Sequence, residues 1–415
     1  MGSVGCFGQI ENIKRQSLVK DTDMKRLTIR NFGPIKEAMI ELKRMNVILG
    51  PQSSGKSTVL KVACFCDWME RQIVLTQDPD RYCNPKFFVY NLVSFHKLEG
   101  FMQDDSYIRY DNDVISFEYN AKTNTCNYHW SSSSSKRWGY RRVKIAYIPS
   151  ERNLIAAISN WYQVSMGNNN ILDFMKEWEF ARKNFLKKEQ ILGLPFSYRY
   201  SSSDKGDHIV MSDGKELDLT NASSGLQSLT PLYIMLRYLT DEFYKDKHTK
   251  VEDTILRENL EQIVIREFPN KTQKKQQEIV NGIMTPSRTD MYIEEPEAHI
   301  YPSTQKDFIY SLVNLLNGRR KHFCFIATHS PYILTALNNL IQAAETISES
   351  DEKAAKIIKR FPKRQTIPYD DVAAFAMKDG MIESIMDEDF RLISAEALDS
   401  ASQEIADDYN FLLNV

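Results

Sequence analysis

Eight consecutive residues, Gly50-Pro51-Gln52-Ser53-Ser54-Gly55-Lys56-Ser57, have the types and spacing needed to hold a chain of phosphates. They form a complete G-x-x-x-x-G-K-[ST] loop. Its glycines let backbone N–H groups close around an anion where a Cβ would obstruct the turn. The Lys56 ammonium would stand between the outer two phosphates, and the Ser57 hydroxyl would ligate a divalent cation. Thr58 continues the same wall into the following helix.

Three further segments carry chemistry of a matching kind. Asp290-Met291-Tyr292-Ile293-Glu294-Glu295-Pro296-Glu297 reads as an apolar strand ending in acids. Glu294 is the metal-side candidate, acting directly or through water, and Glu295 is the candidate general base or water-orienting group. In Ala327-Thr328-His329-Ser330-Pro331 a histidine emerges at the carboxyl end of an apolar strand, where open α/β sheets bind ligands. His329 there either contacts the terminal phosphate or holds the attacking water. Ser223-Ser224-Gly225 precedes an apolar helix beginning near Leu226 and makes an anion-seeking helix start, or a plain serine N-cap.

The elements that must position these residues alternate in pattern. Met45 to Leu49 reads as a buried strand before the phosphate loop, and Thr58 to Phe65 as a helix after it. Lys25–Arg30 and Ala38–Leu42 alternate around the turn Asn31-Phe32-Gly33-Pro34. Residues 88–120 read as short strand-like pieces, Ser131 to Ser135 as a loop, and Arg142 to Ile148 as a strand. Residues 150–192 turn helical, 197–219 give short strands, and helices follow from Thr230 to about Val280. Strands at 289–295 and 322–328 flank a helix at 303–317, another helix starts at Pro331, and a hairpin turns at Lys378-Asp379-Gly380. Strand–helix alternation at both ends predicts an α/β head built from sequence-distant halves, with an antiparallel β subdomain and an inserted helical subdomain.

The expected divisions are a polar leader (1–23), a first half of the head (24–150), a helical and strand insert (151–219), a helical subdomain opened by the serine motif (220–288), and a second half of the head (289–415). Across 415 residues, 53 basic side chains nearly balance 55 acidic ones. A protein built only to coat nucleic acid would be more basic. Six cysteines without a C-x-x-C pair read as reduced and buried, and no run approaches the roughly 20 apolar residues that span a bilayer. A cytoplasmic protein without membrane contact is expected.

Taken together, the motifs resemble the ATP-binding-cassette ATPases of the SMC-like and OLD-like branch, often described as AAA-type ATPases of anti-phage systems. The resemblance spans residues 25–62 and 220–385, with four motifs in family order. Gly50–Ser57 matches the Walker A loop, and Ile293-Glu294-Glu295-Pro296 the Walker B strand, with Glu294 in place of the commoner Asp. Ser223-Ser224-Gly225 matches the shortened signature motif, and His329 the switch histidine. Glu297 to Pro302 resembles the D-loop in location only. Asn31 and Phe32 fall in a turn such ATPases place near the base and ribose, and Gln103 is the best candidate for the metal-side Q-loop glutamine.

The resemblance implies an ATP- and Mg²⁺-dependent ATPase working as a head-to-tail homodimer or a higher ring. Each ATP would lie between one copy's Walker motifs and the other's serine cap. With no segment for a TOPRIM nuclease and no long coiled coil, the chain looks like the stand-alone ATPases of two-gene phage-defence systems. The PARIS kind comes first and the Septu kind second. The implied partners are a separate nuclease-like effector and a phage-encoded trigger. The competing expectations are a DNA-binding SMC-like repair or recombination ATPase and an ATP-gated scaffold with negligible turnover. Two basic segments are candidates for DNA: Lys136 to Lys144 with its tryptophans, and the run Lys353, Lys356, Lys359, Arg360, Lys363 and Arg364.

Overall fold

Period-two burial builds the first strands, β1 (Lys25–Phe32) and β2 (Ile35–Leu42), whereas β3 (Met45–Leu49) is buried on both faces. A computed structural model describes residues 25–245 and 251–394, so the leader expected over 1–23 lies outside the described residues. Helix α1 (Lys56–Thr76) rises from the phosphate loop and α2 (Pro85–His96) follows. Then come β4 (Met102–Asp111), β5 (Ile115–Asn120), β6 (Thr125–Trp130) and β7 (Val143–Ile148). The insert holds α3 (Asn170–Arg182) and a small sheet of β8 (Glu189–Gln190), β9 (Phe196–Ser201), β10 (Gly206–Met211) and β11 (Glu216–Asp218). Next are α4 (Ser224–Thr240), α5 (Val251–Glu267), α6 (Gln273–Met284), β12 (Arg288–Glu294), α7 (Pro302–Leu316), β13 (Phe323–Thr328), α8 (Pro331–Glu349) and α9 (Asp351–Arg360). The hairpin β14 (Val372–Lys378) and β15 (Met381–Ser384) comes after them.

One sheet of 11 strands runs β6-β5-β4-β1-β2-β15-β14-β3-β13-β12-β7. Its core, β14-β3-β13-β12-β7, is parallel and covered by helices. Double-sided burial explains why β13 reads as an unbroken apolar run with every residue buried. The wing β6-β5-β4-β1-β2 is antiparallel. The hairpin expected near residue 380 forms, but it lies inside the sheet. β14 runs parallel to β3, and β15 meets β2 at Met381 and Glu37, joining core to wing.

A buried ionic knot ties the same halves together. Lys25 of β1 donates to Asp67 of α1 at 2.7 Å and to Asp290 of β12 at 2.8 Å, and Tyr292 donates to Asp67. Burial alone would lower the Lys25 pKa, but the two carboxylates outweigh it and hold the ammonium above its ordinary value. Burial drives Asp67 up, while Arg288 and Lys25 overcome burial at Asp290 and hold it down.

Three local expectations are corrected. The stretch after residue 84 is the helix α2, because Asn84 caps it by accepting from Lys86 N and Phe87 N and Pro85 occupies its first position. Residues 150–192 are not continuously helical: a 3-10 turn at Ser150–Asn153 and a short helix at Leu154–Ala157 precede α3. The serine run closes into a short helix, Ser134–Trp138, that buries Trp138.

Candidate active site

The loop after β3 turns through Ser53 at φ 60° and Gly55 at φ 108°. An L side chain at Gly55 would be strained, and its Cβ would meet Met377 Cε at 2.7 Å. Because α1 starts at Lys56, the N–H groups of its first turn lack intrahelical carbonyls and open toward the loop. Lys56 is buried, and its Nζ donates to Gly50 O at 2.8 Å and Pro51 O at 2.6 Å. Burial pulls this ammonium down to about 8, while the Glu295 and Glu297 carboxylates act in the opposite direction. The buried Ser54 Oγ has no hydrogen-bond partner among the described residues. An ammonium folded back onto two carbonyls beside an unpartnered hydroxyl fits a cradle for anionic oxygens. The loop suits a nucleotide's phosphates.

Facing it are the ends of β12 and β13, which are parallel neighbours. Glu294 is buried, and its carboxylate accepts from Tyr147 OH at 2.6 Å, Ser150 N at 3.1 Å and Ser150 Oγ at 3.4 Å. Glu295 leaves the strand at φ 42°, a left-handed value uncommon for a non-glycine residue, and donates its N–H to Ala327 O at 2.8 Å. Its Oε1 lies 3.6 Å from His329 Nε2, and His329 Nδ1 lies 3.4 Å from Lys56 Nζ. The His329 N–H donates to Glu297 Oε1 at 2.5 Å. The fold thus brings Lys56, Glu295, Glu297 and His329 together beside Glu294.

The serine motif opens α4. Ser223 and Ser224 are exposed and Gly225 is half-buried. Ser223 Oγ accepts from Leu226 N at 3.5 Å, so the plain N-cap reading holds for that residue. No hydrogen bond or ion pair joins Ser223 or Ser224 to the chain's own phosphate loop among the described residues.

Asn31, Phe32 and Gln103 have partners within the antiparallel wing. Phe32 is fully buried, edge-on to Phe101 at 6.1 Å, and has no surface to offer a base. Its burial follows from an irregularity at Asn31, whose φ of 48° breaks the alternation of β1 and turns the next side chain inward. Neighbouring Asn31 donates to Asp105 at 2.8 Å. Gln103 lies on β4, with its Nε2 on Gly33 O at 3.3 Å. The groups that reach Glu294 come instead from β7 and the turn after it, because β7 is the strand beside β12. Tyr147, Ser150, Arg152 and Glu297 are the residues that sequence reasoning missed. The signal for Tyr147 and Ser150 was an apolar strand closed by the polar turn Pro149-Ser150-Glu151-Arg152.

A family model described as "AAA domain" matches residues 26–367. The chain belongs to the AAA domain family. It is a P-loop ATPase with the mixed parallel and antiparallel architecture described above. No curated protein matches this AAA domain chain. Among solved structures it is similar to the SMC head domain from Thermotoga maritima, at 10% identity and TM-score 0.39, over 88% of this chain and 98% of that one. The Smc head domain of Pyrococcus furiosus, with an extended coiled coil and bound to the C-terminal domain of ScpA, has 9% identity and TM-score 0.37, over 93% and 100%. The recombination mediator protein RecF with ATP has 12% identity and TM-score 0.28, over 88% and 99%. No helix among the described residues is long and apolar enough to cross a membrane.

Proposed function

We propose that this ATPase is a self-pairing switch. Two copies would meet head to tail, each copy's Ser223–Ser224 cap closing the other's phosphate loop, and turnover would reopen the pair. One observation carries the reading: the serine cap is exposed and unattached to its own loop, in a chain whose own Lys56, Glu294, Glu295 and His329 are assembled. Bound Mg-ATP would supply an electrophilic phosphorus and neutralise charge on its oxygens. Lys56 would leave the Gly50 and Pro51 carbonyls to lie along the phosphates. Ser57 and Glu294 would hold the cation, and Glu295, with His329 beside it, would orient water and accept its proton. Light scattering of Glu295→Gln protein should give a dimer with Mg-ATP and a monomer without nucleotide. A monomer under both conditions overturns the reading.

DNA is the partner best supported by the surface. Lys353, Lys356, Lys359, Arg360, Lys363 and Arg364 are all exposed, and none has a carboxylate partner among the described residues. Most of the other basic segment is engaged within the chain, Arg141 being exposed. Arg137 stacks on Trp130 and Trp138, and Lys136, Arg142 and Lys144 pair with Asp113, Asp253 and Glu177. This favours a DNA-engaging repair or recombination ATPase over a holder of a separate toxic effector. Duplex DNA should bind at low salt with a steep salt dependence, and a Lys353→Glu, Lys356→Glu, Lys359→Glu variant should lose that binding while keeping nucleotide affinity. Equal DNA binding by the variant removes this surface from the proposal.

A further inference from the structure

Arg152 is fully buried, and all three of its guanidinium nitrogens are engaged. Nη1 donates to Glu294 O at 2.9 Å and Pro149 O at 3.4 Å. Nη2 donates to Glu295 O at 2.9 Å and Ser228 Oγ at 3.1 Å. Nε donates to Ser228 O at 3.3 Å. Every acceptor is a carbonyl or a hydroxyl, and no carboxylate is in direct contact. A guanidinium is costly to bury on such terms, and an apolar side chain of similar volume would pack there more cheaply. What the arginine adds is geometric: one rigid fork spans two elements.

Those elements are the two halves of the proposed catalytic unit. Ser228 is four residues after Ser224, so it lies one turn below that exposed serine on the same face of α4. Glu295 is the residue held at φ 42°, and Arg152 holds its carbonyl. A second close approach joins the same parts, since a Cβ at Gly225 would come within 3.0 Å of His299 O in the turn after Glu295.

We propose that Arg152 is a positioning residue that couples the serine-capped helix to the catalytic glutamate. Seating a partner copy's nucleotide on Ser224 settles α4, and the Ser228–Arg152–Glu295 chain passes that settlement to the backbone that aims the Glu295 carboxylate. Turnover then depends on the pair being closed. The inference rests on the head-to-tail reading above and adds to it the part that connects the two copies' chemistry.

The test uses full-length Ser228→Ala and Arg152→Lys proteins. Light scattering of Glu295→Gln protein with Mg-ATP comes first; a Glu295→Gln protein that never pairs overturns the dimer reading and the coupling with it. Given pairing, both variants should bind a fluorescent ATP analogue within about two-fold of wild type and still dimerise, while kcat falls about 10- to 100-fold with KM little changed. Hydrogen exchange supplies a readout independent of turnover. In a Glu295→Gln background closed with Mg-ATP, residues 293–300 should be protected, and adding Ser228→Ala should return them to the exchange rate of the open protein. Wild-type kcat, unchanged protection, or activity lost only in step with the unfolded fraction overturns the coupling. Should Arg152→Lys fail to fold, Ser228→Ala, which leaves the arginine in place, decides the matter alone.

Discussion

His329 Nε2 stands 3.6 Å from Glu295 Oε1. With Nδ1 turned to Lys56 at 3.4 Å, the imidazole bridges the loop's cation and the strand's acid. Replacing His329 by alanine should leave nucleotide affinity nearly intact and lower kcat about 10- to 100-fold, because the ring aligns the base. Steady-state phosphate release checks this. An alanine variant with wild-type kcat would mean that the ring only fills space.

Glu295→Gln keeps the shape of the side chain and removes its basicity. Turnover should fall by about 10²- to 10⁴-fold with no loss of ATP binding. Single-turnover measurements separate that outcome from slow product release. If Glu297→Gln is the more damaging change, the base is Glu297, whose Oε2 is buried and unpartnered among the described residues.

The buried ammonium of Lys56 has a depressed pKa of about 8 in the free protein. Phosphates favour its charged form, so the pKa rises on binding and a proton is taken up. Affinity for Mg-ATP should therefore be full below about pH 8 and weaken above it, by up to tenfold per pH unit. Titrations from pH 7 to 9.5 test the sign, and Lys56→Arg should flatten the curve. A flat wild-type curve would show that the lysine keeps its proton throughout.

Removing the cation from the buried knot should harm stability rather than chemistry. Lys25→Met leaves Asp67 buried without its cation, beside an Asp290 that keeps Arg288 at 2.8 Å, at a cost of about 3–5 kcal/mol. In that variant the folded pKa of Asp67 would stand further above the unfolded carboxyl value of about 4, because burial and Asp290 raise it and Lys25 no longer opposes them. The folded state would then hold protons the unfolded chain lacks, so the deficit should shrink as pH falls from 7 toward 5. Denaturant midpoints at the two pH values measure it, and an equal deficit at both would sink the account.

Much of the site was legible because it is written locally. The phosphate loop, the acids ending β12 and the histidine ending β13 each announce themselves by residue type at a strand's end, and the strands form where their apolar runs lie. Arg152 was not legible, since a lone arginine after a strand reads as surface until β7 is known to lie beside β12. Gln103 was chosen by chain position, yet its neighbours are those of the wing. Phe32 was judged by its turn, and strict alternation of β1 would have pointed it outward; the left-handed Asn31 shifts the register and sends it to the core. The basic, tryptophan-rich segment looked free because its partners Asp113, Asp253 and Glu177 are distant in sequence or on other elements.

By itself the sequence determined that this chain holds phosphates, carries an acid pair and belongs to an α/β head, because backbone geometry, side-chain charge and strand burial act over a few residues. Only the tertiary structure decided which strand stands beside which. That order rests on pairings across hundreds of residues, such as β3 with β13 and β14. It set the hairpin inside the sheet, moved the contacts of Glu294 to Tyr147 and Ser150, and stretched one buried guanidinium from the serine-capped helix to the glutamate.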